Sequence, residues 1–259
     1  MENIKVVHNK ASRLFIFLGG FFIANALVAE MIGVKIFSME KTFGFQPFNM
    51  TLFGQGGLGF NLTAGVLLWP FVFVLTDVIN EYYGRRGVRL LSFLAIGLIS
   101  YAFLMIFLAI NVAPADFWMG TKKSLGIVDM NVSFGAVYGQ GLRIIIGSIV
   151  AFLVGQIVDV TIFHRIKKMT GEKHIWLRST GSTVVSQLID SYIVLFIAFY
   201  GQEGWTTILI IAVGVVNYIY KFTMAVLLTP VIYILHGIID RFLGEELAKE
   251  LKDYALKTS

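Results

Sequence analysis

The sequence predicts an all-α polytopic membrane protein with six transmembrane helices and both termini in the cytoplasm. Three observations carry that expectation. Of the 259 residues, 57% are hydrophobic and only 14% charged, with a mean hydropathy of +0.78. A soluble domain of this length is about 45–50% apolar and about 25% charged, so this chain has too few polar groups to coat a water-facing surface. Six apolar runs have roughly the ~20 residues that cross a bilayer. They cover 14–37, 62–82, 88–112, 142–164, 182–200 and 206–238. Finally, fifteen Lys and Arg fall in the segments 5–13, 85–89, 165–178 and 241–257, whereas the alternate loops hold only Lys41, Lys122 and Lys123. Loops rich in basic residues stay in the cytoplasm, which fixes the expected orientation.

The same charge pattern explains the net charge of +5 without a nucleic-acid partner. The chain has no cysteine, which removes disulfides, thiol chemistry and Cys-ligated zinc. The polar start, followed by a long apolar run without a small-residue cleavage pattern, fits a first span better than a signal peptide. Pro230 is expected to kink the last span, because proline leaves the carbonyl of Val226 unpaired. Residues 38–61 are rich in glycine and aromatics and suit a hairpin lid on the outer side. Residues 113–141 suit a segment lying along the membrane surface. The tail 241–259, with Leu243, Leu247, Leu251 and Tyr254, reads as an amphipathic helix at the inner surface.

Polar residues inside spans are expensive, by about 2.5–3.5 kcal/mol for a central charge, unless they face protein or water. Asp77, Asn80 and Glu81 stand at i, i+3 and i+4 on one helical face. Gly84 is expected to end that helix, and Arg85, Arg86 and Arg89 to anchor it. Asn25, Glu30 and Lys35 lie in the first span, Arg143, Gln156 and Asp159 in the fourth, Gln187 and Asp190 in the fifth, and Asn217 and Lys221 in the sixth. The third span has nothing ionisable between residues 90 and 110, which suits a lipid-facing scaffold helix. Gln156/Asp159 and Gln187/Asp190 repeat a Gln-x-x-Asp pattern, consistent either with inverted internal symmetry or with chance. Asp190 is expected near mid-membrane, where a carboxylate must be paired, protonated or ligand-bound. Two readings stand: a structural ion pair with Lys221, or a binding site in which amide and carboxylate meet a polar ligand. Trp69, beside Pro70, is placed to stack on a flat ligand. The four histidines form no close-spaced ligand pair, so neither a metal nor another cofactor is expected.

The segment Thr76-Asp77-Val78-Ile79-Asn80-Glu81-Tyr82-Tyr83-Gly84-Arg85-Arg86 resembles the signature of the VUT family, the queuosine precursor transporters. So do the run from Asp159 to Lys168, Trp176 to Thr183, Gln187 to Ser191 with Ile197 to Gly201, and Lys221-Phe222 leading to Leu228-Thr229-Pro230. The connection 38–61 is longer than the family pattern. The resemblance implies import of 7-cyano- or 7-aminomethyl-7-deazaguanine across a bacterial inner membrane, and a six-span bundle akin to vitamin-binding S-components. The ring N–H and 2-amino group of such a base match a carboxylate such as Asp190 or Glu81 bidentately. Asn80, Gln187 or Gln156 could meet the carbonyl and ring nitrogens. The implied candidate site set is therefore Asp190, Gln187, Glu81, Asn80, Asp77, Lys221, Asn25, Gln156 and Asp159. Expected partners are a purine-like small molecule and the bilayer, with a coupling proton and a second copy of the chain as further candidates.

Two other functions compete with a stand-alone transporter. A binding subunit could borrow an ATPase, since no Gly-x-x-x-x-Gly-Lys-[Ser/Thr] loop is present. An intramembrane aspartyl enzyme could use Asp159 and Asp190.

Overall fold

The computed structural model describes residues 9–139, 141–171 and 174–257; Lys5, His8 and Lys173 lie outside the described residues. Among the described residues, five helices are long and apolar enough to cross a membrane. Helix α1 (Lys10–Ile32) begins where the Asn9 side chain accepts the N–H of Ala11 at 3.0 Å, which satisfies one of the helix's free N–H groups. It closes at Gly33, short of the expected residue 37, because the next residues join a strand instead.

That strand, β1 (Ile36–Ser38), pairs antiparallel with β4 (Asn61–Thr63). Between them lie a single helical turn, α2 (Met39–Thr42), and a hairpin of β2 (Met50–Leu52) with β3 (Gln55–Leu58). Segment 38–61 is thus built around two small two-stranded sheets. Glu40 staples its base. One carboxylate oxygen accepts the Phe60 N–H at 2.8 Å and the other the Ser38 hydroxyl at 3.0 Å. Burial pushes the Glu40 carboxyl up, but these hydrogen bonds outweigh burial and hold it below the usual carboxylate value. A lowered folded value means the staple contributes fully above the ordinary pKa of 4.5 and is lost as pH falls through the lower folded one. Glu40→Gln is therefore expected to raise hydrogen exchange at the Phe60 amide at neutral pH and to abolish its acid dependence. Unchanged exchange would show that the backbone pairing of β1 with β4 suffices alone.

Helix α3 (Trp69–Asn111) has 43 residues but is not one rod, because Gly84 interrupts it with φ 64° and ψ −169°. The first arm runs antiparallel to α1: Gly65, just before it, lies against Ala29, and the Tyr83 hydroxyl donates to Ala11 O at 2.6 Å. The second arm turns back beside α1, where Leu91 packs on Gly19, and ends with Ile110 against Gly135. Its Leu90, Phe93, Leu94, Leu98, Leu104 and Phe107 are exposed, as a lipid-facing helix requires. The connection that follows carries the short helices α4 (Asp116–Met119) and α5 (Met130–Tyr138).

Helices α6 (Leu142–Thr170) and α7 (Ile175–Phe199) pack antiparallel. Gly155 lies against Asp190, and Gly147 against Val194 and Ile197. The expected last span, 206–238, is not continuous. It divides at Leu228 into α8 (Thr207–Leu227) and α9 (Thr229–Leu243). Pro230 falls in the first turn of α9, where a missing N–H costs nothing, so it starts a new helix rather than kinking an old one. Buried Ile232, His236, Ile239 and Leu243 recur at helical spacing, giving α9 one inward face. Helix α10 (Glu245–Lys257) follows Gly244 and rests Ala255 on Gly84, covering the turn of α3. The largest buried apolar cluster joins α1, both arms of α3, α6, α9 and α10, and includes Phe22, Val72, Tyr82, Leu91, Phe152 and Leu243.

Candidate functional site

A cleft enclosing about 480 Å³ of empty space, its open mouth included, lies between the first arm of α3, α7 and the α8–α9 junction. Trp69, Pro70, Phe73, Val74 and Asp77 form one wall; Ser179, Thr180, Thr183 and Gln187 form the second; Tyr220, Lys221, Ala225, Leu228 and Ile232 form the third. Trp69 is held from behind by Phe152, with ring centroids 5.4 Å apart, and the Tyr220 hydroxyl donates to Val66 O at 3.3 Å. Two aromatic side chains are thus fixed at the cleft before anything enters it.

Of the nine residues expected to form a site, Asp77, Gln187 and Lys221 line this cleft, and so does Trp69. Asp77 is 1% exposed. Its Oδ2 accepts from the Ser179 hydroxyl, and its Oδ1 has no partner among the described residues. Gln187 Nε2 is likewise buried and unpartnered. Buried polar atoms are nearly always satisfied, so these two leave an acceptor and a donor open at the cleft.

The remaining residues do other work. Asp190 is engaged by Lys221, about one-sixth exposed on each side, and this ion pair ties α7 to α8 at the edge of the cleft. Glu81 is taken up entirely by a buried clamp. Its Oε1 accepts Arg178 Nη2 at 2.8 Å, while its Oε2 accepts Arg178 Nε and Lys167 Nζ, each at 3.1 Å. Arg178 Nη1 also donates to Gly171 O at 2.9 Å. Asn80 Oδ1 lies 2.6 Å from His164 Nε2, and Gln156 Oε1 accepts from Thr76 at 3.2 Å. Asp159, fully buried behind the cleft, accepts from Ser186 at 3.1 Å and Thr183 at 3.4 Å. Asn25 donates back to Phe21 O at 2.8 Å within α1 and stands apart from the cleft. Both Glu81 and Asp190 are therefore paired with cations within the protein.

Asp159 and Asp190 do not form a dyad either, since each faces a different neighbour. The two Gln-x-x-Asp segments sit on facing helices, but only Gln187 reaches the cleft. Glu30 accepts from the Ser148 hydroxyl on α6, and Arg143 donates to Tyr200 O at 3.3 Å. Among the described residues, no group of His, Asp and Glu could hold a metal.

Sequence reasoning missed the hydroxyl wall of α7 and the true place of Arg178 and Lys167. The signal for the first was present: Ser179, Ser182, Thr183 and Ser186 recur at i, i+3, i+4 and i+7. The two cations were counted as loop charges, yet they are 1% and 2% exposed inside the bundle.

A family model described as "Putative vitamin uptake transporter" matches residues 63–235, which contain every cleft-lining residue. Three relatives agree. A "Probable queuosine precursor transporter" of Bacillus subtilis (strain 168) is 29% identical over 181 residues, covering 68% of this chain and 72% of the relative. A protein of the same description from Haemophilus influenzae is 26% identical over 193 residues, covering 70% and 73%. The "Queuosine precursor transporter" of Escherichia coli (strain K12) is 29% identical over 212 residues, covering 78% and 83%. No solved structure matches the chain.

Proposed function

This chain belongs to the VUT family of vitamin uptake transporters, and we propose that it imports queuosine precursors through the cleft between α3, α7 and α8. The membrane topology we infer is six crossings, counting the two arms of α3 separately, with both termini inside. The proposed cargo is a 7-deazaguanine such as 7-cyano- or 7-aminomethyl-7-deazaguanine. One observation carries the reading: a buried carboxylate oxygen and a buried amide N–H, neither partnered, share a cleft with Trp69 and Tyr220.

The complementarity is chemical. A deazaguanine edge presents a ring N–H and an amino group beside a carbonyl. Asp77 Oδ1 accepts from the donors, Gln187 Nε2 donates to the carbonyl, and an aromatic face takes the ring. Asp77 thus fills the role that sequence reasoning gave to Asp190 or Glu81. Ser179 on its other oxygen holds the carboxylate in place.

Hydrogen bonds to a charged group contribute about 1.5–3 kcal/mol. Asp77→Asn is therefore expected to weaken binding of 7-cyano-7-deazaguanine about 10- to 100-fold while leaving the melting temperature within a few degrees. Calorimetric titration of the purified protein measures this. Wild-type affinity in a folded variant would remove Asp77 from the site. Uptake into liposomes containing this chain alone separates a stand-alone importer from a binding subunit that needs an ATPase.

A further inference from the structure

Behind the carboxylate in the cleft stands a second one, and the nearby cations are committed elsewhere. Asp159 on α6 accepts from Ser186 and Thr183 through Oδ1, while its Oδ2 is buried without a partner among the described residues. Asp77 is in the same condition, with one oxygen on Ser179 and the other unpartnered. On α7, Arg178 is held by Glu81 on two of its nitrogens. On α6, Lys167 is held by the same Glu81, and on α8 Lys221 is held by Asp190. On α9, His236 faces the Tyr82 hydroxyl at 3.2 Å, and on α10 Lys252 pairs with Asp240 at 2.8 Å. The two carboxylates are neighbours through α7: Ser179 donates to Asp77 and Thr183, one helical turn further on, donates to Asp159. Two carboxylates this close cannot both remain ionised once water is displaced from between them, and one must then take up a proton.

We propose that Asp159 is the proton site coupled to cargo binding at Asp77, so that one proton enters with each base. This rests on reading the cleft as the base site. Donors on the base hold Asp77 ionised when the cleft fills. Water is then displaced, and Asp159 takes a proton on Oδ2 from the outer side. When the base leaves inward, water returns to the site and Asp159 releases that proton to the cytoplasm. No covalent bond changes. Thr183 and Ser186 keep Asp159 oriented through their hydroxyls. Thr183 also lines the cleft, so it touches both the cargo space and the proton site.

The test uses the full chain in liposomes with the membrane potential clamped and labelled 7-cyano-7-deazaguanine, which is neutral. An inward proton gradient of one pH unit should drive about tenfold accumulation for a one-to-one coupling. Asp159→Asn should bring the ratio of accumulation with and without the gradient down to about one. Wild-type counterflow with no gradient is the control that separates the two ideas. Counterflow without gradient-driven accumulation overturns the proton inference and leaves the transporter standing; no counterflow overturns the transporter itself. Calorimetry on wild-type protein, in buffers of differing ionisation enthalpy, covers the case in which Asp159→Asn does not fold. Uptake of one proton per bound base is expected, and zero net protons at every pH tested refutes the coupling.

Discussion

Glu81→Ala is expected to be the most destabilising single substitution in the chain, at about 3–5 kcal/mol, because it strands two buried cations. Glu81, Lys167 and Arg178 are 1%, 2% and 1% exposed, so water does not take over the lost role. The clamp joins three elements, with Glu81 on α3, Lys167 on α6 and Arg178 on α7. The bidentate Arg178 fork and its bond to Gly171 O leave no geometry into which the guanidinium could turn freely. For a chain of this size a loss of this magnitude lowers the melting temperature by roughly 6–20 °C. Thermal unfolding in detergent measures it. A triple replacement of Glu81, Lys167 and Arg178 by methionine should recover much of the loss, since an intact buried ion cluster is often no more stable than an apolar one. A drop of less than about 2 °C for Glu81→Ala would mean that solvent reaches the clamp.

Gly84→Ala ranks second, and its cost has two separable parts. The backbone at Gly84 has φ 64° and ψ −169°, a region essentially reserved for glycine, and forcing another residue there costs about 1–3 kcal/mol. In addition, a Cβ at this position would sit 3.1 Å from Ala255 O and 3.2 Å from Ala255 Cα. Both are backbone atoms, so no side-chain rotation relieves the contact. The variant should lose stability and also loosen α10, seen as faster proteolysis within 245–257. Truncation after Gly244 in the Gly84→Ala background removes the crowding but keeps the strain. The substitution should therefore cost less in the truncated chain than in the full one. Equal cost in both would show that α10 yields without resistance.

The lipid-facing half of the fold was legible in the sequence, because a bilayer demands long apolar runs and the chain supplies them. The second arm of α3, empty of charge from 90 to 110, was readable for that reason. Pairing among buried charges was harder to read. Glu81 and Asp190 look alike in sequence: both are carboxylates in apolar surroundings, and each has a basic residue within reach on another span. Only the crossing of α3, α6 and α7 reveals that Glu81 meets two cations, whereas Asp77, one helical turn away, meets a serine. The break at Leu228 was also hidden, since a proline inside a long apolar run fits a kinked span as well as the start of a second helix. The inward face of α9, seen at Ile232, His236 and Ile239, was the available clue.

Segment 38–61 is fastened to one wall of the cleft, the one built by α8. Leu58 of β3 is buried against Ala212 and Val216 of α8, while Lys221, further along the same helix, forms part of the cleft wall. A tilt of α8 about the hinge at Leu228 would therefore swing the outer cover and the inner wall together as a single lever. Opening the mouth and reshaping the cleft then become one motion rather than two that must be synchronised.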